Sequence, residues 1–210
     1  MDAATFLRTA ELAEQAIERA GAAAVWSEPS ALVGYTVGGL AGHLARAVLT
    51  VDRYLDQPVP AAEPTDAAGY VVRVLGAHDP VASTFHDQVR RRGEQEASQG
   101  PAALVDALRT DRLTLTDRKA SLEPGTPIAV LEDTVLSVED YLDTRLVELV
   151  VHLDDLGVSV GGDGAEDLPA AAYERVAAVL AVVAPRRVGP LATVRSLARR
   201  ERHPEAVRAL

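Results

Sequence analysis

The sequence predicts an all-α fold, a bundle of closely packed helices. Over several long stretches, apolar residues recur at spacings of three and four, which is the period of an amphipathic helix. Nearly half of the 210 residues are apolar but only 4% are aromatic, so the core must consist mainly of Ala, Val and Leu, which favours close helix packing. The length suits one domain, and the helix lengths suit an up-and-down bundle with crossover loops.

Two helices are expected in the first quarter of the chain. The first covers residues 3–22, and a loop with the only tryptophan, Trp26, follows it. The second covers residues 37–55, with Thr36 as its N-cap. The apolar stripe of the first helix consists of Phe6, Ala10, Ala13, Ile17 and Ala20, and that of the second consists of Val37, Leu40, Leu44, Val48, Val51 and Leu55.

Shorter helices and loops are predicted for the middle of the chain. The Pro-rich segment 57–64 is a loop. Residues 66–99 form an interrupted helical region whose second part begins at Pro80. Another helix follows over residues 101–119.

A turn at residues 124–127 precedes the stretch 128–136, which is either a short strand or an irregular connection. Ser137 caps the next helix, and Asp140 in its first turn suits the helix dipole. We expect this helix to end near Leu156, because glycines follow it.

The C-terminal part is predicted to be helical, with helices over residues 169–184 and 190–201. We therefore expect a bundle over residues 1–164 and a helical extension over residues 165–210 that packs on the same domain. The arginines of this extension either face an anionic partner or form a solvated face paired with carboxylates; they are Arg186, Arg187, Arg195, Arg199, Arg200 and Arg202.

The helix after Ser137 carries a carboxylate and an imidazole, Glu148 and His152, which are neighbours on one helix face at spacing i, i+4. The helix has a core stripe of Leu142, Leu146, Leu149, Leu153 and Leu156, and a flanking stripe of Tyr141, Arg145, Glu148, His152 and Asp155. His43 is likewise offset from the apolar centre of its own helix. These three groups suit a divalent metal ion if they meet, and otherwise they are ordinary boundary residues. His78 and His86 either line a pocket or lie on a surface helix, and we expect the surface.

Two segments together resemble the mycothiol-dependent maleylpyruvate isomerase family, which belongs to the DinB-like helical bundles. The first comprises Trp26–Ser30 and Val33–Leu44, with the sequence Val-Gly-Tyr-Thr-Val-Gly-Gly-Leu-Ala-Gly-His-Leu. The second is Asp140–Leu156, which contains Thr-Arg-Leu-Val-Glu-Leu-Val-Val-His-Leu-Asp-Asp. The resemblance covers roughly residues 5–160, and both segments occur in the family's order.

The resemblance implies a four-helix bundle that holds a divalent metal ion, commonly zinc, through His43, Glu148 and His152. It also implies mycothiol or another low-molecular-weight thiol as cosubstrate. Asp155 and Arg145 are then candidates for holding the imidazoles in place, but for Asp155 we expect a plain surface charge. Larger family members carry a further C-terminal domain, so maleylpyruvate isomerisation is not the expected reaction.

Composition limits the function classes. The chain contains no cysteine, so thiol chemistry requires an external thiol. The formal charge of −10 argues against a nucleic-acid partner. No segment reads as a targeting signal or membrane span, and we expect a cytoplasmic protein.

The sequence therefore favours a metal- and thiol-dependent transferase or isomerase that acts on a small electrophile. Two alternatives stay open: a non-catalytic ligand-binding or regulatory bundle, and a hydrolase in which the metal activates water.

Overall fold

The computed structural model describes residues 3–75, 83–131, 134–162 and 167–199, and it confirms the all-α prediction. The helices are α1 (Ala3–Ala22), α2 (Val37–Leu55), α3 (Ala67–Leu75), α4 (Thr84–Glu96), α5 (Pro101–Asp117), α6 (Val138–Ser159), α7 (Ala170–Val188) and α8 (Pro190–Ala198), with a 3-10 turn at Lys119–Leu122. None of the described helices is long and apolar enough to span a membrane.

Helices α1, α2, α5 and α6 form the central bundle. α1 packs against α5 and α6, and α2 packs against the same two helices, so α1 and α2 occupy opposite corners. The predicted apolar stripes face this core, where burial of apolar area supplies most of the stabilisation. The largest fully buried side chains of the bundle include Phe6, Ile17, Leu40, Leu44, Leu108, Leu115, Leu142, Leu146 and Leu149.

Both predicted N-caps are present. The Thr36 hydroxyl accepts a hydrogen bond from the Gly39 amide (3.0 Å), and the Ser137 hydroxyl accepts one from the Asp140 amide (3.1 Å). Each bond satisfies an amide that has no partner inside its helix. The start of α2 and the start of α6, the two helices that carry the candidate site, are thus fixed by local sequence.

The end of α6 differs from the prediction, because the helix continues past Gly157 to Ser159. Gly161 has a φ of +80°, and its amide donates to the Val158 carbonyl, while the Gly162 amide donates to the Gly157 carbonyl. This pair of bonds is a Schellman motif. The glycine that terminates the helix is therefore Gly161, the one in the left-handed conformation.

Helix α4 lies across α2 at a contact between two glycines. A Cβ atom on Gly42 would lie 2.0 Å from the Gly93 carbonyl oxygen, and one on Gly93 would lie 3.0 Å from the His43 amide nitrogen. The two backbones approach this closely only because neither residue has a side chain. The start predicted for this helix, Pro80, lies outside the described residues, and α4 begins at Thr84 after the cap residue Ser83.

The stretch left open between strand and irregular connection forms an antiparallel hairpin. Its strands are β1 (Pro127–Val130) and β2 (Thr134–Ser137), and Ile128 pairs with Leu136. The alternation expected of a strand was obscured because three successive residues of each strand are buried.

The C-terminal helices add a layer outside the bundle. α7 packs against α6 and α3, and α8 packs against α7. The buried carboxylate of Asp143 on α6 accepts two hydrogen bonds from Arg175 on α7. α7 continues through Pro185 to Val188, beyond the predicted end at residue 184, and Arg186 in its last turn pairs with Asp66 ahead of α3 (2.6 Å).

Candidate metal centre

The structure brings the three predicted ligands together between α2 and α6. The Nε2 atom of His43 lies 3.2 Å from Oε2 of Glu148, and the Nε2 atom of His152 lies 3.3 Å from the same oxygen. One ligand atom from each residue lies within 4.8 Å of the other two. The side chains of His43 and His152 are mostly buried, with 16% and 14% of their surface exposed. The cluster thus lies just inside the molecular surface.

Asp155 holds one of the two imidazoles. Its Oδ2 atom lies 2.9 Å from Nδ1 of His152. With Nδ1–H donated to Asp155, Nε2 faces the cluster and offers a lone pair there when the ring is neutral. A carboxylate that orients a histidine in this way is the usual support for a metal ligand. Asp155 is half-buried rather than a plain surface charge.

The two distances to Oε2 of Glu148 are compatible with a tetrahedral metal ion. Bonds of about 2.0–2.1 Å to a tetrahedral zinc ion place adjacent ligand atoms about 3.3–3.4 Å apart, close to the 3.2 Å and 3.3 Å observed. Hydrogen bonds between a charged nitrogen donor and a carboxylate are shorter, about 2.7–2.9 Å. Two imidazole nitrogens and one carboxylate oxygen also form a donor set suited to zinc.

His43 is held differently from His152. Its buried Nδ1 atom has no hydrogen-bond partner among the described residues, and its ring lies 5.7 Å, centroid to centroid, from the ring of Tyr35. Packing therefore orients this imidazole: the Gly42–Gly93 contact fixes the backbone beside it, and Tyr35 fixes the ring.

The surroundings give the three groups different protonation preferences. Burial lowers the pKa of His43 below its usual value even though the ring faces Glu148. Burial also disfavours charge on His152, but the carboxylates of Asp155 and Glu148 outweigh it and raise its pKa to about 9. Burial would raise the pKa of Glu148, yet both imidazoles together hold it well below the usual range. At neutral pH an ionised carboxylate thus lies between a neutral and a cationic imidazole, and a metal ion would displace the proton on His152.

Arg145 does not support either imidazole through any hydrogen bond that the described residues show. Its guanidinium carbon lies 5.1 Å from the centroid of the Tyr141 ring, and its Nε donates to the Thr144 hydroxyl (3.2 Å). The Tyr141 hydroxyl is in turn hydrogen-bonded to Thr50 (2.9 Å). Arg145 is therefore fixed along α6, one turn before Glu148.

The flanking stripe predicted on α6 faces one cleft of about 750 Å³. All five of its members contribute to the wall, although Tyr141 itself is fully buried. His86 on α4 also lines this cleft, so its placement on a purely surface helix was wrong, while His78 lies outside the described residues. The described lining further includes Leu32, Tyr35, Tyr54, Tyr70, Val74, Phe85, Val89, Val147 and Val151.

The cleft is positively charged although the chain as a whole is acidic. Its described lining includes two carboxylates, Glu148 and Asp155, against five arginines: Arg46, Arg90, Arg92, Arg145 and Arg187. Arg46 pairs with Glu96 (2.9 Å), and Arg90 pairs with Asp87. Of the arginines in the C-terminal extension, Arg187 thus contributes to the cleft, while Arg195 and Arg199 are exposed and Arg200 and Arg202 lie outside the described residues.

Comparison with known families agrees with this geometry. The family model described as mycothiol maleylpyruvate isomerase N-terminal domain matches residues 8–157. The chain belongs to this family. The matched range contains the central bundle almost entirely, together with His43, Glu148 and His152. The family match and the all-α bundle together agree with a DinB-like fold. No match to a curated protein or to a solved structure was found.

As a member of this family, the chain is a mycothiol-related DinB-like domain with a possible metal-binding triad. Sequence reasoning missed Tyr35, Tyr54 and Tyr70, the aromatic wall of the cleft, because they come from a loop and two different helices. Of the chain's five tyrosines, Tyr35 lies inside the first matching segment and Tyr54 lies on the helix that this segment begins, which was the available signal for these two; Tyr70 had none.

Proposed function

We propose that the protein is a divalent-metal-dependent, small-thiol-dependent transferase or isomerase that acts on a small electrophile. The observation that carries the proposal is the convergence of His43, Glu148 and His152 at the wall of a largely apolar cleft. Three protein ligands leave a further coordination position, as in catalytic rather than structural metal sites.

The donor set determines which chemistry the site supports. His43, Glu148 and His152 would hold the ion, which when bound lowers the pKa of a coordinating thiol so that the thiolate forms at neutral pH. Because the chain has no cysteine, the thiol has to come from solution. The membership of a mycothiol-related family supports mycothiol as that thiol.

The reaction follows from the chemistry of a thiolate. Its sulfur forms a bond to an electrophilic carbon of the substrate. If the same carbon–sulfur bond breaks after rotation in the adduct, the product is an isomer and the thiol is regenerated. If the adduct is instead protonated, or loses another group, the product is an S-conjugate.

The protein's own residues prepare the cleft for this reaction. Asp155 keeps His152 oriented through its 2.9 Å hydrogen bond. Burial raises the pKa of Tyr35 to about 12, so its hydroxyl stays protonated and can donate a hydrogen bond. Val147 and Val151 line the cleft beside the ligands and reduce access of water to the reacting groups.

Metal content is the first test. We expect about one zinc ion per chain by elemental analysis of the purified protein, and loss of tight zinc binding in His43→Ala and Glu148→Ala. His86→Ala is the matched control, because it removes an imidazole that lines the same cleft from a helix without any of the three ligands. If the two ligand variants bind zinc as tightly as the parent, the proposed site is wrong.

Thiol dependence is the second test. In the cobalt-substituted protein, a coordinating thiol is expected to produce a thiolate-to-cobalt charge-transfer band that Glu148→Ala lacks. Turnover of an electrophile panel should require both metal and thiol. Product formation without thiol would indicate a hydrolase, and metal and thiol binding without any turnover would indicate a binding protein; either outcome contradicts the proposal.

A further inference from the structure

Helix α7 lies in the outer layer of the protein but has the sequence of a buried helix. Residues 176–185 include no charged or polar side chain, although α7 packs on α6 and α3 with one side only. A helix that is apolar all round is normally buried on all sides. Within this stretch the outward-facing residues Ala177, Ala178, Ala181 and Val182 are exposed.

Helix α8 continues this apolar surface, because its bulky side chains face away from the protein. The residue that α8 buries is Thr193, and Ser196 is half-buried. Leu191, Val194 and Leu197 recur at a spacing of three, which places them on one helix face, and they are 59%, 60% and 77% exposed. A short helix that packed on α7 for its own stability would bury these side chains instead.

The exposed apolar residues of the two helices form one surface, since α8 packs against α7. We call this surface the α7–α8 patch. It consists of Ala177, Ala178, Ala181, Val182, Val188, Leu191, Val194 and Leu197.

The α7–α8 patch has the size of an interface. The helices contain 19 and 9 residues, so they are about 28 Å and about 13 Å long and about 10 Å wide, and their outer faces cover on the order of 400 Å². Monomeric proteins rarely expose a contiguous apolar patch larger than a few hundred Å². Two copies that met over this patch would bury on the order of 1,000 Å² in total, the size at which specific interfaces begin.

The shape and the charge of the patch are complementary to a second copy of itself. Its N-terminal half consists of small alanines next to the exposed Glu174, whereas its C-terminal half carries the bulky residues of α8 together with the exposed Arg195 and Arg199. A two-fold axis across α7 places the alanine half of one copy against the bulky half of the other, and acid toward base. The net charge of −10 disfavours an anionic membrane surface as the occupant.

We infer that the α7–α8 patch binds a second copy of this chain in an antiparallel, two-fold arrangement. The patch lies outside residues 8–157, the range that the family model matches, and the contact requires neither metal nor thiol. Helix α7 also carries Arg187, which lines the cleft. Association therefore holds one wall of the cleft in place from outside.

The test is sedimentation velocity of the full chain at concentrations from about 1 µM to about 300 µM. Because the interface is small, we expect monomer and dimer in exchange, with a Kd of about 1–100 µM. Val194→Glu and Leu197→Glu each place a charge in the interface and should raise this Kd about tenfold or more.

Leu113→Glu is the matched control, because Leu113 on α5 is 51% exposed and lies outside the patch. It introduces the same charge and should change the Kd less than twofold. A parent that is monomeric at the highest concentration, or an equal rise of the Kd in Leu113→Glu and the patch variants, would overturn the inference.

A charge exchange tests the antiparallel arrangement. Glu174→Arg should raise the Kd about threefold or more, because arginines of the two copies then face each other. Adding Arg195→Glu and Arg199→Glu to this variant should restore the affinity at least in part. A triple variant that dimerises no better than Glu174→Arg would contradict the antiparallel arrangement.

Two further measurements exclude other occupants of the patch. Cosedimentation of monomeric protein with phosphatidylcholine–phosphatidylglycerol vesicles, abolished by Leu197→Glu, would assign the patch to a membrane surface and overturn the inference. Thermal unfolding is followed by circular dichroism at a concentration where the parent is monomeric. A lower midpoint in Val194→Glu than in Leu113→Glu would show that the same chain covers the patch, which also contradicts the inference.

Discussion

The hydrogen bond between Asp155 and His152 gives the most direct quantitative prediction for the metal centre. Replacing Asp155 with Ala removes the acceptor of Nδ1–H at 2.9 Å, which loosens the orientation of the imidazole and lowers its basicity. Loss of such a supporting group typically weakens metal binding about 10- to 100-fold. Each tenfold change corresponds to about 1.4 kcal/mol.

The structure places the expected effect at the lower end of that range. The Asp155 side chain is 26% exposed, so solvent screens part of its charge. Glu148 also contacts His152 from the other ring nitrogen and continues to orient it. We therefore expect zinc affinity to fall about 10- to 30-fold in Asp155→Ala, and less in Asp155→Asn, whose amide oxygen still accepts the hydrogen bond.

The assay is competition for zinc against a chromophoric chelator near neutral pH, after the protein has been stripped of metal. Asp154→Ala is the matched control, because Asp154 precedes Asp155 and is exposed. Its loss should change zinc affinity less than twofold. The reasoning is refuted if Asp155→Ala binds zinc as tightly as the parent, or if both variants weaken binding equally, which would show that overall charge and not the hydrogen bond matters.

Three further predictions concern the folded state. In metal-free protein the pKa of His152 is raised to about 9 from the ordinary 6.5, so the protonated ring stabilises the fold fully below pH 6.5. This contribution, at most about 3 kcal/mol, is lost as the pH rises through 9. Urea titrations across that pH range should show the loss of stability, and His152→Gln should not show it. Gly42→Ala forces a methyl group against a backbone oxygen 2.0 Å away and should lower the free energy of unfolding by about 2 kcal/mol or more. Gly39→Ala is the control on the same helix, because its new methyl group has its nearest contact at 3.2 Å, and it should change the free energy of unfolding by less than about 1 kcal/mol. Similar losses in both variants would contradict the glycine contact. Arg175→Gln leaves the buried Asp143 carboxylate without its partner. Because Arg175 is 43% exposed, we expect the free energy of unfolding to fall by about 1–2 kcal/mol, measured by thermal and urea unfolding. An unchanged stability would show that solvent already compensates the charge of Asp143.

Features that depend on neighbouring residues were predictable. The leucine stripe of α6 and the caps at Thr36 and Ser137 follow from helical periodicity and from hydrogen bonds that span three residues. The same periodicity indicated that Glu148 and His152 share a face. In each case the interacting groups lie within one or two helical turns, so the sequence contains the whole interaction.

Boundaries and short elements were less predictable because their energies are shared with distant segments. α7 runs through Pro185 while its last turn packs outside the bundle and Arg186 pairs with Asp66. The hairpin after residue 126 is buried along most of both strands, so it lacks the alternation that marks a half-exposed strand.

The sequence by itself determined the all-α class, the helix that carries Glu148 and His152, and the absence of any thiol of the chain's own. Only the tertiary structure decided that His43 meets this pair, that Asp155 supports His152 while Arg145 faces the cleft over Tyr141, and that His86 belongs to the cleft wall. The physical reason is that helical periodicity is a local property, whereas these contacts join α2, α4 and α6 across the bundle. Their geometry depends on how closely the helices approach, and at Gly42 and Gly93 that approach is set by two missing side chains.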